Sequence, residues 1–152
     1  MTETVKLLVE KGRANVNTNF QEGATALMEA SYKGHIDCVS ILMENGADVD
    51  EKNEDGDTAL MWASYKGHIE IVKKLLENGA DVNVRDNDGW TALIKASWEG
   101  RTETVALLLE KGADVLAVDK YGDTALSVAS KNGYTEIVKL INNYRRIELM
   151  NQ

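Results

Sequence analysis

The sequence predicts an all-α solenoid, in which helix-turn-helix units are stacked and joined by short β-hairpin or turn fingers. Two observations support this prediction. A glycine followed two residues later by Thr-Ala-Leu recurs every 33 residues, and the four glycines are Gly23, Gly56, Gly89 and Gly122. Between them, short apolar stripes with helical spacing alternate with turn residues. A fixed period of this length indicates one small unit repeated in tandem rather than one large core.

The first helix of each unit begins at the threonine of this block. In the unit at 53–85, the Thr58 hydroxyl can accept a hydrogen bond from a free amide of the first turn. The helix is expected to run from about Thr58 to Lys66, because Gly67 can adopt the left-handed conformation that ends a helix.

The second helix of the same unit is expected over about 69–77. Its apolar residues follow the spacing of one buried helical face, and they are Ile71, Val72, Leu75 and Leu76. Asn78-Gly79 is expected to end the helix, and Asn87-Asp88-Gly89 supplies turn residues for the finger that leads into the next unit.

These blocks resemble the ankyrin repeat, which has a period of 33 and a Thr-Pro-Leu-His-x-Ala signature. The resemblance covers essentially the whole chain and includes Gly34-His35, Gly67-His68 and the segment Gly79-Ala80-Asp81-Val82-Asn83. The chain departs from the signature by having alanine in place of proline in all four blocks. Alanine is a good helix former, so the resemblance still implies an ankyrin-like solenoid.

The repeat boundaries follow from the same blocks. We expect one array over 1–152, with a partial repeat at 1–19, full repeats at 20–52, 53–85 and 86–118, and a C-terminal capping repeat at 119–152. Asn142, where earlier units have leucine, favours a polar cap. The partial repeat would leave apolar side chains uncovered. We therefore expect either a fragment of a longer array or end-to-end self-association through this repeat.

Composition disfavours several classes of partner. The chain has 25 acidic and 17 basic residues and a net charge of −8, which disfavours nucleic acid and anionic membrane surfaces. It contains a single cysteine, Cys38, so no internal disulfide can form. No apolar run approaches the roughly 20 residues that span a bilayer. We expect a cytoplasmic protein without a cofactor.

Two columns of polar residues could suggest chemistry, but both are better explained by folding. His35 and His68 lack the converging partners that a metal site needs, so we expect each to hydrogen-bond a neighbouring loop. A serine recurs in every unit, at Ser31, Ser64, Ser97 and Ser130. A catalytic nucleophile is used once, whereas a small residue in every unit suits close helix stacking. We expect neither a catalytic nor a metal site.

The resemblance implies a binding surface. In ankyrin repeats, the ends of the first helices and the finger tips form a concave recognition face. The positions on or next to the first helices that this implies are Tyr32, Lys33, Tyr65, Lys66, Trp98, Glu99 and Lys131. The implied finger positions are Asp55, Asp57, Asp88, Trp90, Tyr121 and Asp123.

Aromatic residues concentrate in the two central units. We expect Trp62, Tyr65, Trp90 and Trp98 to form one aromatic patch, rimmed by Asp55, Asp57 and Asp88. Trp90 and Trp98 are expected to be exposed, while Trp62 is equally consistent with filling a gap between helices. A patch of aromatic side chains surrounded by charge is typical of an interaction hot spot.

These features predict a non-enzymatic module that binds a protein or peptide on its concave face. The acidic rim favours a partner with basic residues in the contact segment. Two alternatives remain at this stage: an engineered or structural repeat scaffold without a natural ligand, and a regulatory fragment of a larger protein.

Overall fold

A computed structural model describes residues 25–151 of the chain. The predicted partial repeat at 1–19, and any self-association through it, lie outside the described residues.

The described part contains eight α-helices that alternate between first and second helices of successive units. They are α1 (Ala26–Lys33), α2 (Ile36–Glu44), α3 (Ala59–Lys66), α4 (Ile69–Glu77), α5 (Ala92–Trp98), α6 (Thr102–Glu110), α7 (Ala125–Lys131) and α8 (Thr135–Met150). The first helices α1, α3, α5 and α7 pack against one another in chain order, and α2, α4, α6 and α8 form a second row. The core lies between the rows, as expected for an all-α solenoid.

The helix boundaries follow the predicted signals. Thr58 Oγ1 accepts a hydrogen bond from the Met61 amide at 3.4 Å, and helix α3 begins at the next residue, Ala59. Gly67 ends this helix with a φ of 73°. Helix α4 spans Ile69–Glu77, as the apolar spacing predicts.

Each finger is organised by one Asn or Asp side chain. Asn53 Oδ1 accepts hydrogen bonds from the amides of Asp55 and Asp57, at 3.0 and 2.9 Å. Asp86 and Asp119 make the same pair of bonds in the next two fingers. The turn residues were predicted at 87–89, and this column was not predicted. The 33-residue spacing of these residues was the available signal.

Neighbouring fingers are joined through their backbones. The amide of Asn87 donates to the Asp55 carbonyl, and the amide of Lys120 donates to the Asp88 carbonyl, both at 2.9 Å. These bonds hold successive fingers side by side, so the finger tips form a continuous row.

A second set of bonds holds the end of each first helix. His68 Nε2 donates to the Tyr32 carbonyl at 3.0 Å, since a carbonyl oxygen only accepts. Arg101 Nε donates to the Tyr65 carbonyl at 3.1 Å, in the same arrangement one unit later. One unit further on, the side-chain amide of Asn132 donates to the Trp98 carbonyl at 3.1 Å. We call His68, Arg101 and Asn132 the latch residues. His68 was expected to bond a neighbouring loop, but its partner Tyr32 lies near the end of helix α1.

The last helix continues through Arg145 and Arg146 to Met150, because no glycine interrupts it. Asn142 is exposed, while Ile147 and Leu149 on the last turns are also exposed. The polar cap therefore stays a prediction.

Among residues 25–151, none of the helices has the length and apolarity that crossing a bilayer requires.

The contact between fingers can be tested with two glycines at equivalent positions. Gly56 and Gly122 have φ angles of 81° and 85°. A Cβ on Gly56 would lie 2.8 Å from Asn87 Oδ1 and 3.1 Å from the Asp86 Cα, whereas a Cβ on Gly122 would meet nothing within 4 Å. Both alanine variants adopt an unfavourable left-handed backbone, but only Gly56→Ala also overpacks the adjacent finger. We expect it to lower the free energy of unfolding in urea by about 1 to 3 kcal/mol more than Gly122→Ala. Equal losses would contradict this packing.

The serine column provides a second stability test. The hydroxyl of Ser64 is buried without a hydrogen-bond partner, whereas Ser130 at the same position of the last unit is exposed. An unpartnered buried hydroxyl costs about 1 to 3 kcal/mol, and replacing either serine by alanine gains similar helix propensity. Ser64→Ala should therefore raise the free energy of unfolding by about 1 kcal/mol more than Ser130→Ala. Denaturation curves that rank the two variants in the opposite order would refute this expectation.

Candidate functional site

Large aromatic side chains are exposed at the ends of three consecutive first helices. Tyr32, Tyr65 and Trp98 are 42%, 36% and 40% exposed. We call them the helix-end aromatics. Their backbone carbonyls accept the hydrogen bonds from the three latch residues. The backbone beneath each exposed ring is therefore bonded to the following unit.

The predicted single patch is instead two aromatic pairs. The rings of Tyr32 and Trp62 meet edge to face at 5.6 Å, and those of Trp90 and Trp98 lie 5.4 Å apart. Trp90 was expected to be exposed, and this was wrong: its ring is half-buried and packs against the core. Trp62 is also half-buried against the core, so it both fills a gap and contacts an exposed ring.

Lys95 lies between the two pairs. Its ammonium is 3.0 Å from Asp57 Oδ1 and 3.0 Å from Asp86 Oδ2, and its side chain is only 14% exposed. The same ammonium lies 5.4 Å from the centre of the Trp90 ring. We call Lys95, Asp57 and Asp86 the Lys95 triad. It ties helix α5 to two fingers, and Lys95 both contacts the Trp90 ring and lines a cavity with Tyr32 and Trp62.

Lys95 and Asp86 were not among the predicted site residues. The sequence does mark the position of Lys95, because the equivalent residues in the four units are Glu29, Trp62, Lys95 and Val128. Their chemistry differs in every unit, whereas the residues next to them repeat. A position that changes where the scaffold is constant is a candidate for recognition. The pairing with two fingers could not be read from spacing.

The charge state of Lys95 is set by its partners. Burial lowers the pKa of this lysine, but the charges and hydrogen bonds of Asp57 and Asp86 outweigh burial and raise it above 10.5. The triad therefore contains a charged lysine at neutral pH, held in a site that water reaches poorly.

The predicted acidic rim is largely paired with lysines of the protein itself. Besides Asp57, Asp88 pairs with Lys120 and Asp123 pairs with Lys131, in exposed or half-exposed contacts. The bond from Lys131, with one from Ser127, lowers the pKa of Asp123. Within the described residues, Asp55 is exposed and has no ion-pair partner. The rim is thus less negative than the sequence suggested.

The remaining predicted residues surround the helix-end aromatics. The ammonium of Lys66 lies 5.0 Å from the centre of the Tyr32 ring, and Lys33 pairs with Glu29 at 3.9 Å. A hydrogen bond to the Glu99 carboxylate, together with burial, raises the pKa of the Tyr65 hydroxyl. Tyr121, at 69% exposure, stands apart on the last finger beside Lys120.

One small cavity opens among these side chains. It measures about 190 Å³ and is lined by Tyr32, Trp62, Tyr65 and Lys95. We call it the aromatic pocket. Ligand sites for small molecules usually begin at roughly 300 Å³, so this pocket suits a single side chain.

Between residues 25 and 151, the structure contains no group of three or more His, Cys, Asp or Glu side chains that could hold a metal ion. The polar groups of the candidate site instead form ion pairs and turn bonds.

Comparison with protein families decides the assignment. The family description "Ankyrin repeats (3 copies)" matches residues 1–86, 45–119 and 82–151. The chain belongs to the ankyrin repeat family. Ankyrin repeats are generally protein–protein interaction modules and are generally non-enzymatic.

Curated relatives share only part of their length with this ankyrin repeat chain. It is 49% identical over 45 residues to the human Ankyrin repeat domain-containing protein 29, a match that covers 30% of the chain and 15% of that protein. The zebrafish (Danio rerio) protein of the same name is 47% identical over 45 residues, with the same coverage. The mouse Serine/threonine-protein kinase TNNI3K is 40% identical over 47 residues, which cover 31% of the chain and 6% of the kinase.

The Lys95 triad predicts a stability cost that an exposed lysine does not share. Lys95→Met leaves two poorly hydrated carboxylates without their cation, so we expect the free energy of unfolding to fall by about 3 kcal/mol at neutral pH. Lys120→Met removes an exposed pair, for which we expect little change. Urea denaturation compares the two variants, and similar losses would contradict the structural role of the triad.

The pH dependence of the same variants follows from the raised pKa. A lysine whose pKa is higher in the folded state stabilises the fold below its ordinary pKa of 10.5. This stabilisation is lost as pH rises through the raised value. The parent protein should therefore lose stability more steeply above pH 10.5 than Lys95→Met does. Parallel alkaline profiles would show that Lys95 has no such linkage.

Proposed function

We propose that this chain binds a protein or peptide on its concave face, through the helix-end aromatics and the adjacent finger tips. The observation that supports this most directly is the exposure of Tyr32, Tyr65 and Trp98 in three consecutive units. Large exposed aromatics at the end of a buried helix contribute little to folding. Such residues are enriched among the hot spots of protein interfaces.

The scaffold supports binding because it fixes these residues beforehand. Each helix-end aromatic has its carbonyl held by a latch residue, and each finger is bonded to the next. A face that is ordered before association loses little conformational entropy when it binds.

Charge supports a partner with basic residues in its contact segment. The chain carries a net charge of −8, Asp55 is exposed, and Glu99 lies beside Tyr65. The lysines that pair with Asp88 and Asp123 are exposed, and such pairs exchange partners at little cost. Basic residues on a partner would therefore speed association, and more so at low salt.

We place this function in the cytoplasm. The only cysteine, Cys38, is buried in the core, and the chain makes no use of disulfides for stability. This is the usual state of a protein in a reducing compartment.

Selection of peptides from a random display library tests the proposed face. Peptides selected on the parent protein should lose affinity for the double variant Tyr65→Ala/Trp98→Ala by on the order of 30-fold or more, the loss expected of a hot spot. Helical content measured by circular dichroism should be unchanged, because both rings are exposed.

The matched control is Glu70→Ala/Lys73→Ala, which also changes two exposed residues, but on the second helix α4 and without altering net charge. It should bind the same peptides as the parent does. Peptides that bind the double aromatic variant unchanged, or that lose affinity only for the control, would refute the proposed face.

A further inference from the structure

We propose that the aromatic pocket accepts an uncharged, apolar side chain of the partner, and that Lys95 is the residue that excludes charged ones. This inference rests on the proposed function, because it names the anchor that the concave face would take. It depends on the composition of the pocket and on the partners of Lys95.

The walls of the pocket are aromatic. Tyr32 and Trp62 meet edge to face, and Tyr65 stands on the same helix as Trp62, one turn further on. With an aromatic wall alone, a cationic side chain would be a good occupant, because ammonium and guanidinium groups are attracted to ring faces. The choice between an apolar and a cationic anchor therefore depends on the remaining lining residue.

That residue is Lys95, and it opposes a second cation. Its ammonium stays charged in a site where its side chain is 14% exposed, so charges nearby are poorly screened. Lys66, over the Tyr32 ring, adds another positive charge at the edge of the pocket. Asp57 and Asp86 are not among the residues that line the cavity, so the nearest charge to a guanidinium or ammonium group in the pocket would be the Lys95 ammonium. Such a group would lose its water next to a like charge.

The same residue offers little to an anion. Asp57 and Asp86 each lie 3.0 Å from its ammonium, and the Trp90 ring covers a third side. Two of the three ammonium donors are therefore already directed at carboxylates. A carboxylate entering the pocket would lose its hydration and gain little bonding in return.

An uncharged apolar side chain avoids both penalties. It buries aromatic surface that is now exposed on Tyr32 and Tyr65, and the Lys95 triad beneath it is already paired. The cavity of about 190 Å³ has room for one such side chain. Basic residues of the partner would then contact the exposed carboxylates around the pocket rather than enter it.

Three matched probes test this selectivity without a known partner. N-acetyl, N′-methylamide derivatives of leucine, arginine and glutamate share one backbone and differ only in the side chain. The indole N–H signal of Trp62 in a ¹H–¹⁵N spectrum reports on the pocket, and that of Trp98 serves as a reporter outside its lining. We expect capped leucine to shift the Trp62 signal saturably, with a roughly millimolar Kd. Capped arginine and capped glutamate should bind on the order of tenfold more weakly or not at all.

Changing Lys95 should change the order of the probes. In Lys95→Gln, the carboxylates of Asp57 and Asp86 lose their cation, so capped arginine should become the preferred probe. Lys95→Arg keeps the charge and should keep the parental preference for leucine. Lys139→Gln makes the same charge change on the last helix, far from the pocket lining, and should also keep it.

The inference is overturned if capped arginine or glutamate binds the parent protein as tightly as capped leucine does, or if no probe gives a saturable shift at Trp62. It is also overturned if Lys95→Gln, shown to be folded by its spectrum, keeps the parental order. Should Lys95→Gln not fold, the parent protein and Lys95→Arg still decide the outcome. Failure of these tests would leave the proposed function standing if the selected peptides still require Tyr65 and Trp98.

Discussion

The structure depends on hydrogen bonds that cross from one unit to the carbonyl at the end of the preceding unit's first helix. The donors differ, since a histidine, an arginine and an asparagine perform the same task, but the acceptor position recurs. The residues that provide these carbonyls are the helix-end aromatics. The scaffold and the proposed recognition face therefore share these three residues, whose backbone bonds to the next unit while their side chains are exposed. A neighbouring unit is needed for each exposed ring to be held in place.

The Lys95 triad extends the same principle to charge. Lys95 stands at a first-helix position that holds glutamate, tryptophan or valine in the other units, and two fingers supply the carboxylates that compensate its buried charge. One of these carboxylates, Asp86, also organises its own finger through two amides. Folding of the fingers and the chemistry of the pocket are thus coupled. The pocket is lined by three aromatic rings and by one lysine that is paired with two carboxylates.

Much of the fold could be predicted from the sequence, because it depends on local rules repeated four times. Threonine caps, left-handed glycines and apolar stripes act within a few residues, so Thr58, Gly67 and the helix Ile69–Glu77 appear where the pattern predicts them. The candidate site depends on contacts between units, which spacing does not encode. The contact of Tyr32 with Trp62 and the pairing of Asp57 with Lys95 arise from side chains that reach across a unit boundary. The half-burial of Trp90 beside Trp98 lies within one unit, but it depends on the three-dimensional path of the finger, which spacing does not encode either.

The central claim is that the recognition residues are ordered before any partner arrives. Backbone ¹⁵N order parameters of Tyr32, Tyr65 and Trp98 in the free protein measure this directly. If neighbouring units hold these residues, their order parameters should be about 0.85, the value of rigid backbone. Values below about 0.6, typical of flexible segments, would show that the face forms only on binding and would contradict the account.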